Sequence, residues 1–181
     1  LEVYSRTGGV LRTVAPLPSA SSGAITRVRA TNHTGEWVAC VTPKPVGGSL
    51  LQVIAHDIAS PQLLDLGATQ FIAVTAGDAT IDGRDDLVLT SNTSNEATIL
   101  FNSYTGPSSG NVFAMKATTG LLVPMNGSGA NAANALLFDI DNDGDSDLYV
   151  TTVRGGNLLF ENAGGGTFRD ISAASGLNYV G

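Results

Sequence analysis

Cysteine, histidine and lysine are nearly missing from this chain. Cys40 is the single cysteine among 181 residues, so no disulfide forms within the chain and thiol-rich metal sites are excluded. It lies in the apolar run Trp37-Val38-Ala39-Cys40-Val41 and reads as a small buried hydrophobe, not a reactive thiol. Lysine occurs only at Lys44 and Lys116, against a net charge of −7. That balance argues against nucleic-acid binding, which depends on neutralising phosphates. The two histidines, His33 and His56, are far apart in sequence. His56 stands beside Asp57, yet no G-x-S-x-G elbow supplies a nucleophile, so both histidines read as structural and the chain as non-enzymatic. Gly164-Gly165-Gly166 is followed by no Lys-Ser/Thr pair, which excludes a phosphate loop and leaves a hairpin turn. No apolar run approaches the ~20 residues that a membrane helix needs.

Glycine, by contrast, is abundant: 22 residues, with short apolar runs between them. With 43% hydrophobic and 14% charged residues the chain is globular, and the pattern predicts many turns and short strands. Five of the sixteen acidic residues fall within nine positions, Asp139-Ile140-Asp141-Asn142-Asp143-Gly144-Asp145-Ser146-Asp147. Carboxylates at every second position repel one another unless a cation sits among them. Calcium suits such a loop, because it takes six to eight oxygen ligands and tolerates flexible geometry. Magnesium, which demands a near-ideal octahedron and keeps its waters, fits less well, and zinc would want His or Cys. Gly144 supplies the sharp turn. The loop opens like an EF-hand, but position twelve, where that motif needs a Glu, is Val150. An apolar run, Ala135 to Phe138, precedes the loop, and Leu148-Tyr149-Val150-Thr151-Thr152-Val153 follows it. The β-branched and aromatic residues predict strand-loop-strand.

The pattern D-x-D-x-D-G-x-x-D-L resembles the FG-GAP or VCBS repeat of integrin-type β-propellers. The resemblance continues through Asn157 to Ile171 and through Ala173-Ala174-Ser175-Gly176-Leu177. It implies a four-stranded antiparallel blade with calcium in the hairpin between its first two strands. Asp139, Asp141, Asp143 and Asp147 would ligate through side chains, and Asp145 through its backbone carbonyl.

Moving back 61 positions, the loop recurs as Asp78-Ala79-Thr80-Ile81-Asp82-Gly83-Arg84-Asp85-Asp86. Acids stand at positions one, five and nine and a hydroxyl at position three. A second ion there would draw on Asp78, Thr80, Asp82, the carbonyl of Arg84, and Asp86, with fewer charges to hold it. The Arg84 side chain is expected to point outward or to pair with Asp85. Ile99 to Asn102 and Val112 to Met115 follow as third and fourth strands. A weaker copy runs from Ile25 through Trp37, Leu51 to Ala55 and Leu63 to Leu66, with no aspartates in its loop. Residues 1 to 15 resemble the late half of a blade.

The expected architecture is therefore an all-β propeller segment of about three and a half blades. Its units are 1–18 (half a blade), 19–68 (degenerate), 69–123 (FG-GAP-like) and 124–181 (FG-GAP/VCBS). Pro124 to Asn134 and Pro16 to Gly23 are expected as the loops between blades. An arc of this size leaves sheet faces unburied, so further blades, as in a seven-bladed ring, or another chain are expected partners. Three N-x-S/T sequons, at Asn32, Asn92 and Asn126, fall in expected loops. The expected function is a secreted or cell-surface, calcium-stabilised scaffold for adhesion or protein interaction. The alternative is a carbohydrate-binding propeller, or one accessory to an enzyme acting on sugars or lipids, with Trp37 and Tyr104 as the aromatics to test. Fold alone does not decide between them.

Overall fold

A computed structural model describes residues 2–7, 10–16, 24–29, 36–55, 62–91, 97–105, 112–115, 132–152 and 156–177. His33, His56, the three sequon asparagines, residues 31–35, Val153 and residues 116–131 lie outside the described residues.

Among the described residues fourteen strands form four antiparallel sheets. β1 (Glu2–Thr7) and β2 (Val10–Pro16) make a two-stranded sheet. β3 (Ala24–Arg29), β4 (Glu36–Pro43), β5 (Ser49–Ala55) and β6 (Gln62–Asp65) make a four-stranded meander. β7 (Phe71–Gly77), β8 (Asp86–Ser91), β9 (Thr98–Asn102) and β10 (Phe113–Met115) make the next. β11 (Ala132–Phe138), β12 (Asp147–Thr152), β13 (Leu158–Asn162) and β14 (Phe168–Asp170) make the last, followed by the single-turn helix α1 (Ser172–Ser175). This is the all-β, propeller-type arrangement of four-stranded blades that the repeats predict. Two boundaries differ. Pro16, expected to open a loop, is the last residue of β2 and pairs with Glu2. Residues 132–134 belong to β11 and not to the preceding loop, joined to β12 through a register irregularity between Ala132 and Asn134.

The sheets pack face to face, and burial along each strand shows which faces are covered. All six residues of β8 are buried. Leu87 and Leu89 point into one core, with Trp37, Val41 and Leu51 of the sheet before it. Val88, between them, points into the other, with Leu148, Val150 and Phe160 of the sheet after it. Alternate residues of a strand face opposite sides, so a strand sandwiched between two blades is apolar on both faces over its centre, here Leu87-Val88-Leu89. β11 shows the contrast: Ala135 is buried, while Leu136 and Phe138 on the other face are exposed. Each fully buried leucine contributes roughly 1.5–3 kcal/mol, so these two interfaces dominate the stability. Cys40 is buried at 2% exposure, and burial pushes its thiol pKa up, as expected of an inert core cysteine.

The first strands of successive sheets lie side by side, with β7 between β3 and β11. Gly77, the last residue of β7, makes the close approach possible. A Cβ there would stand 2.7 Å from the Cβ of Leu137 on β11. The absence of a side chain at Gly77 thus brings the loop after β7 against the loop after β11.

Candidate metal centre

The loop between β11 and β12 is built by its own carboxylates. Its backbone turns through left-handed conformations at Asn142 (φ 63°) and Gly144 (φ 99°). Asparagine and glycine are the residues that tolerate this region best. The turn brings Asp143 N–H within 3.2 Å of Asp139 Oδ1 and Gly144 N–H within 3.1 Å of Asp139 Oδ2. At the far end, Asp147 is 1% exposed. Its Oδ2 accepts from Ile140 N–H and its Oδ1 from Asn162 N–H, each at 2.8 Å. The first and last aspartates are thereby held on opposite sides of a ring of backbone.

The result is a group of three carboxylates, Asp139, Asp141 and Asp147, that offer oxygens within 4.8 Å of one another. Two ligands on opposite sides of a calcium ion lie at most about 5 Å apart, twice the bond length, so one ion of that size bridges the span. The donor set is oxygen alone, which suits a hard cation. Asp143 stands outside the group of three: its N–H also donates to Asp141 Oδ1 at 3.3 Å, and its Oδ1 accepts from Asp145 N–H at 3.1 Å.

Asp145, expected to act through its carbonyl, also has an unusual side chain. It is 2% exposed and its Oδ1 is buried with no hydrogen-bond partner. Burial, reinforced by the charges of Asp143 and Asp147, pushes its carboxyl up to about 6. A buried, unpaired carboxylate oxygen beside four other aspartates is costly unless a cation compensates it. No lysine, arginine or histidine lies among residues 139–147.

The loop between β7 and β8 repeats this framework. Ile81 (φ 59°) and Gly83 (φ 81°) take the left-handed positions. Asp78 accepts from Asp82 N–H at 3.1 Å and Gly83 N–H at 2.8 Å. Asp86, fully buried, accepts from Ala79 N–H at 3.1 Å and from Asn102 N–H at 2.9 Å. Burial raises its carboxyl to about 6 despite these donors. Two side chains of this loop make contacts that have no counterpart in the 139–147 loop. Thr80 Oγ1 donates to Asp86 Oδ2 at 3.3 Å. Arg84 does not point outward: its Nη2 pairs with Asp82 Oδ2, and its Nη1 donates to the Tyr104 carbonyl at 3.4 Å. The reason is geometric. Asp82 Oδ1 already accepts Arg84 N–H at 2.9 Å, which places its second oxygen within reach of the guanidinium. Among the described residues, no second group of three acidic ligands is brought together.

Ile81 is a poor residue for its backbone. A β-branched side chain in the left-handed region is strained by roughly 1–2 kcal/mol, and Ile81 is 57% exposed, so little burial offsets it. Ile81→Asn, which copies Asn142, is expected to raise the melting temperature by about 2–4 °C. A calorimetric scan showing a lower temperature would refute the strain.

Two asparagines escaped the sequence reading. Asn102 and Asn162 end the third strand of their blades and are 3% and 1% exposed. Each donates its backbone N–H to the loop's ninth-position aspartate. Asn162 Nδ2 also donates to Ser146 O at 3.1 Å and to Ala79 O, in the neighbouring loop, at 2.9 Å. Ser146 N–H reaches Asp78 O at 3.2 Å. The two loops are thus stitched together across the blade boundary. The available signal was the shared Asn at the end of Ile99–Asn102 and Leu158–Asn162.

No curated protein and no solved structure gives a significant match to the chain. The family model of the FG-GAP-like repeat matches residues 139–180, from the first aspartate of the loop through β12, β13, β14 and α1, so the resemblance read from the sequence holds over that segment.

Proposed function

We propose that the Asp139–Asp147 loop holds one calcium ion whose role is structural. In this reading the chain is a non-catalytic propeller module presenting a rigid surface to a protein partner outside the cell. The observation that carries it is the three-carboxylate group with the buried, unpaired Asp145 oxygen beside it, on a segment that matches the FG-GAP-like repeat. Asp139, Asp141, Asp143 and Asp147 would hold the ion through side chains and Asp145 through its carbonyl. Bound, the ion would supply the positive charge that five crowded aspartates require. Because the loop joins β11 to β12 and bonds to the loop before it, ion binding would add to folding free energy. An extracellular setting follows from affinity: weak oxygen-ligand sites fill at extracellular calcium and not at cytosolic levels. Among the described residues no helix is long and apolar enough to cross a membrane.

The carbohydrate alternative loses its best aromatics. Trp37 is 0% and Tyr104 7% exposed, so neither offers a face to a sugar. Further blades or a second chain remain the partners proposed for the exposed face of β11.

Chelation is the test. In excess EGTA the melting temperature is expected to fall by about 4–8 °C relative to 1 mM calcium, equivalent to about 2 kcal/mol of linkage. Asp143→Ala, which removes an exposed carboxylate and little packing, is expected to abolish most of that difference. An unchanged melt on chelation defeats the metal reading.

A further inference from the structure

We propose that the Asp78–Asp86 loop is closed by the Arg84 guanidinium and takes no calcium, so that the two aspartate loops obtain their cation from different sources. The inference rests on the reading that Asp139–Asp147 binds an ion, and it departs from the expectation of a second ion.

The frameworks match position by position. The first carboxylate caps the amides at positions five and six, and the ninth is buried between the amide at position two and a third-strand asparagine. The chemistry diverges at positions three and seven. Position three is Asp141 in one loop, a member of the carboxylate group. In the other it is Thr80, whose hydroxyl donates its proton to Asp86 Oδ2. That proton occupies an oxygen that an ion would otherwise draw on. Position seven is Asp145 in one loop, buried with one oxygen unpaired. In the other it is Arg84, a permanent cation folded over its own loop with its side chain 24% exposed.

Arg84 is held there from both ends. Nη2 sits on Asp82 Oδ2, the position-five carboxylate, and Nη1 on the Tyr104 carbonyl. The Tyr104 ring packs edge-on against the buried Trp37 of the preceding blade, with centroids 4.6 Å apart. The carbonyl that anchors the guanidinium therefore belongs to a residue fixed in the core. A planar guanidinium in such a fork is a directional partner for a carboxylate. A divalent ion entering the loop would have to break the Arg84–Asp82 pair and then sit beside the displaced positive charge.

Ion counting on the whole chain tests this, by isothermal titration with calcium alone. The wild type is expected to bind one ion, and Asp143→Ala none. The double variant Thr80→Asp, Arg84→Ala restores a carboxylate at position three and removes the cation, and is expected to bind two. Two ions in the wild type, or one ion that survives Asp143→Ala but is lost in Asp82→Asn, overturns the proposal. No binding by the wild type defeats the reading of the Asp139–Asp147 loop instead. Arg84 is then judged by melting in EGTA, where Arg84→Gln is expected to lower the melting temperature by about 2–4 °C. An Arg84→Gln melt equal to wild type in EGTA overturns the proposal whatever the ion count.

Discussion

Trp37→Ala is expected to destabilise the chain by about 3–5 kcal/mol, the range for deleting a fully buried tryptophan. Trp37 is 0% exposed and lies on β4, in the core shared by two successive blades. The loss has two parts. The first is the apolar surface and the cavity left between β4 and the neighbouring sheet. The second is the edge-to-face contact with Tyr104, of which pairs of this kind contribute about 0.5–1.5 kcal/mol. A domain of this size has about 5–15 kcal/mol in all, so the variant should be near the edge of folding at 37 °C. Urea titration at 10 °C measures it, and Trp37→Phe, which keeps part of the ring contact, should recover about half the loss. A loss below about 1 kcal/mol for Trp37→Ala would mean that the blades do not pack through this residue. The same loss should appear with and without EGTA, because Trp37 belongs to the interblade core and not to the aspartate ring.

Asp147→Ala carries the second large effect, and its size separates scaffold from ligand. Asp143→Ala removes an exposed carboxylate and one bond, from the Asp145 N–H, so its effect should be small in EGTA and large only when calcium is present. Asp147 also ties Ile140 N–H at the start of the loop to Asn162 N–H on β13. Deleting it strands the buried Asn162 donor and turns the part-buried Ile140 donor to water, and a buried unsatisfied amide costs roughly 1–3 kcal/mol. Asp147→Ala is therefore expected to lose about 1–3 kcal/mol even in EGTA, before any metal linkage is counted. Chemical denaturation in EGTA gives the number. If Asp147→Ala and Asp143→Ala are equally stable there, Asp147 has no structural role apart from a cation, and the bond network around it is overestimated.

The strands themselves were legible. β8 and β12 follow their loops as runs of Leu, Val, Thr and Tyr, and β3, β5, β9 and β13 lie where alternation or short apolar runs place them. The residues before the last loop were harder. Ala132, Ala133 and Asn134 carry no strong strand preference, and only pairing with β12 recruits them into β11. The aspartate ring was legible because its geometry is local: alternating acids and a glycine at position six specify the turn whatever surrounds it. The inward turn of Arg84 was not legible because it depends on where the Asp82 carboxylate is held and on the Tyr104 carbonyl, which comes from just past another strand's end, 20 positions away.

What the chain determined by itself is whatever depends on neighbours a few positions apart. The strand periods, the left-handed turn at Gly144 and the crowding of five carboxylates are all of this kind. The tertiary structure alone decided which groups meet across blades. Asn162 reaches the carbonyl of Ala79 across 83 positions, Tyr104 meets Trp37, and both aromatics are sealed from solvent. Those contacts arise when whole sheets stack and bury their apolar faces. Stacking is driven by total area removed from water, a quantity that no short stretch of residues encodes.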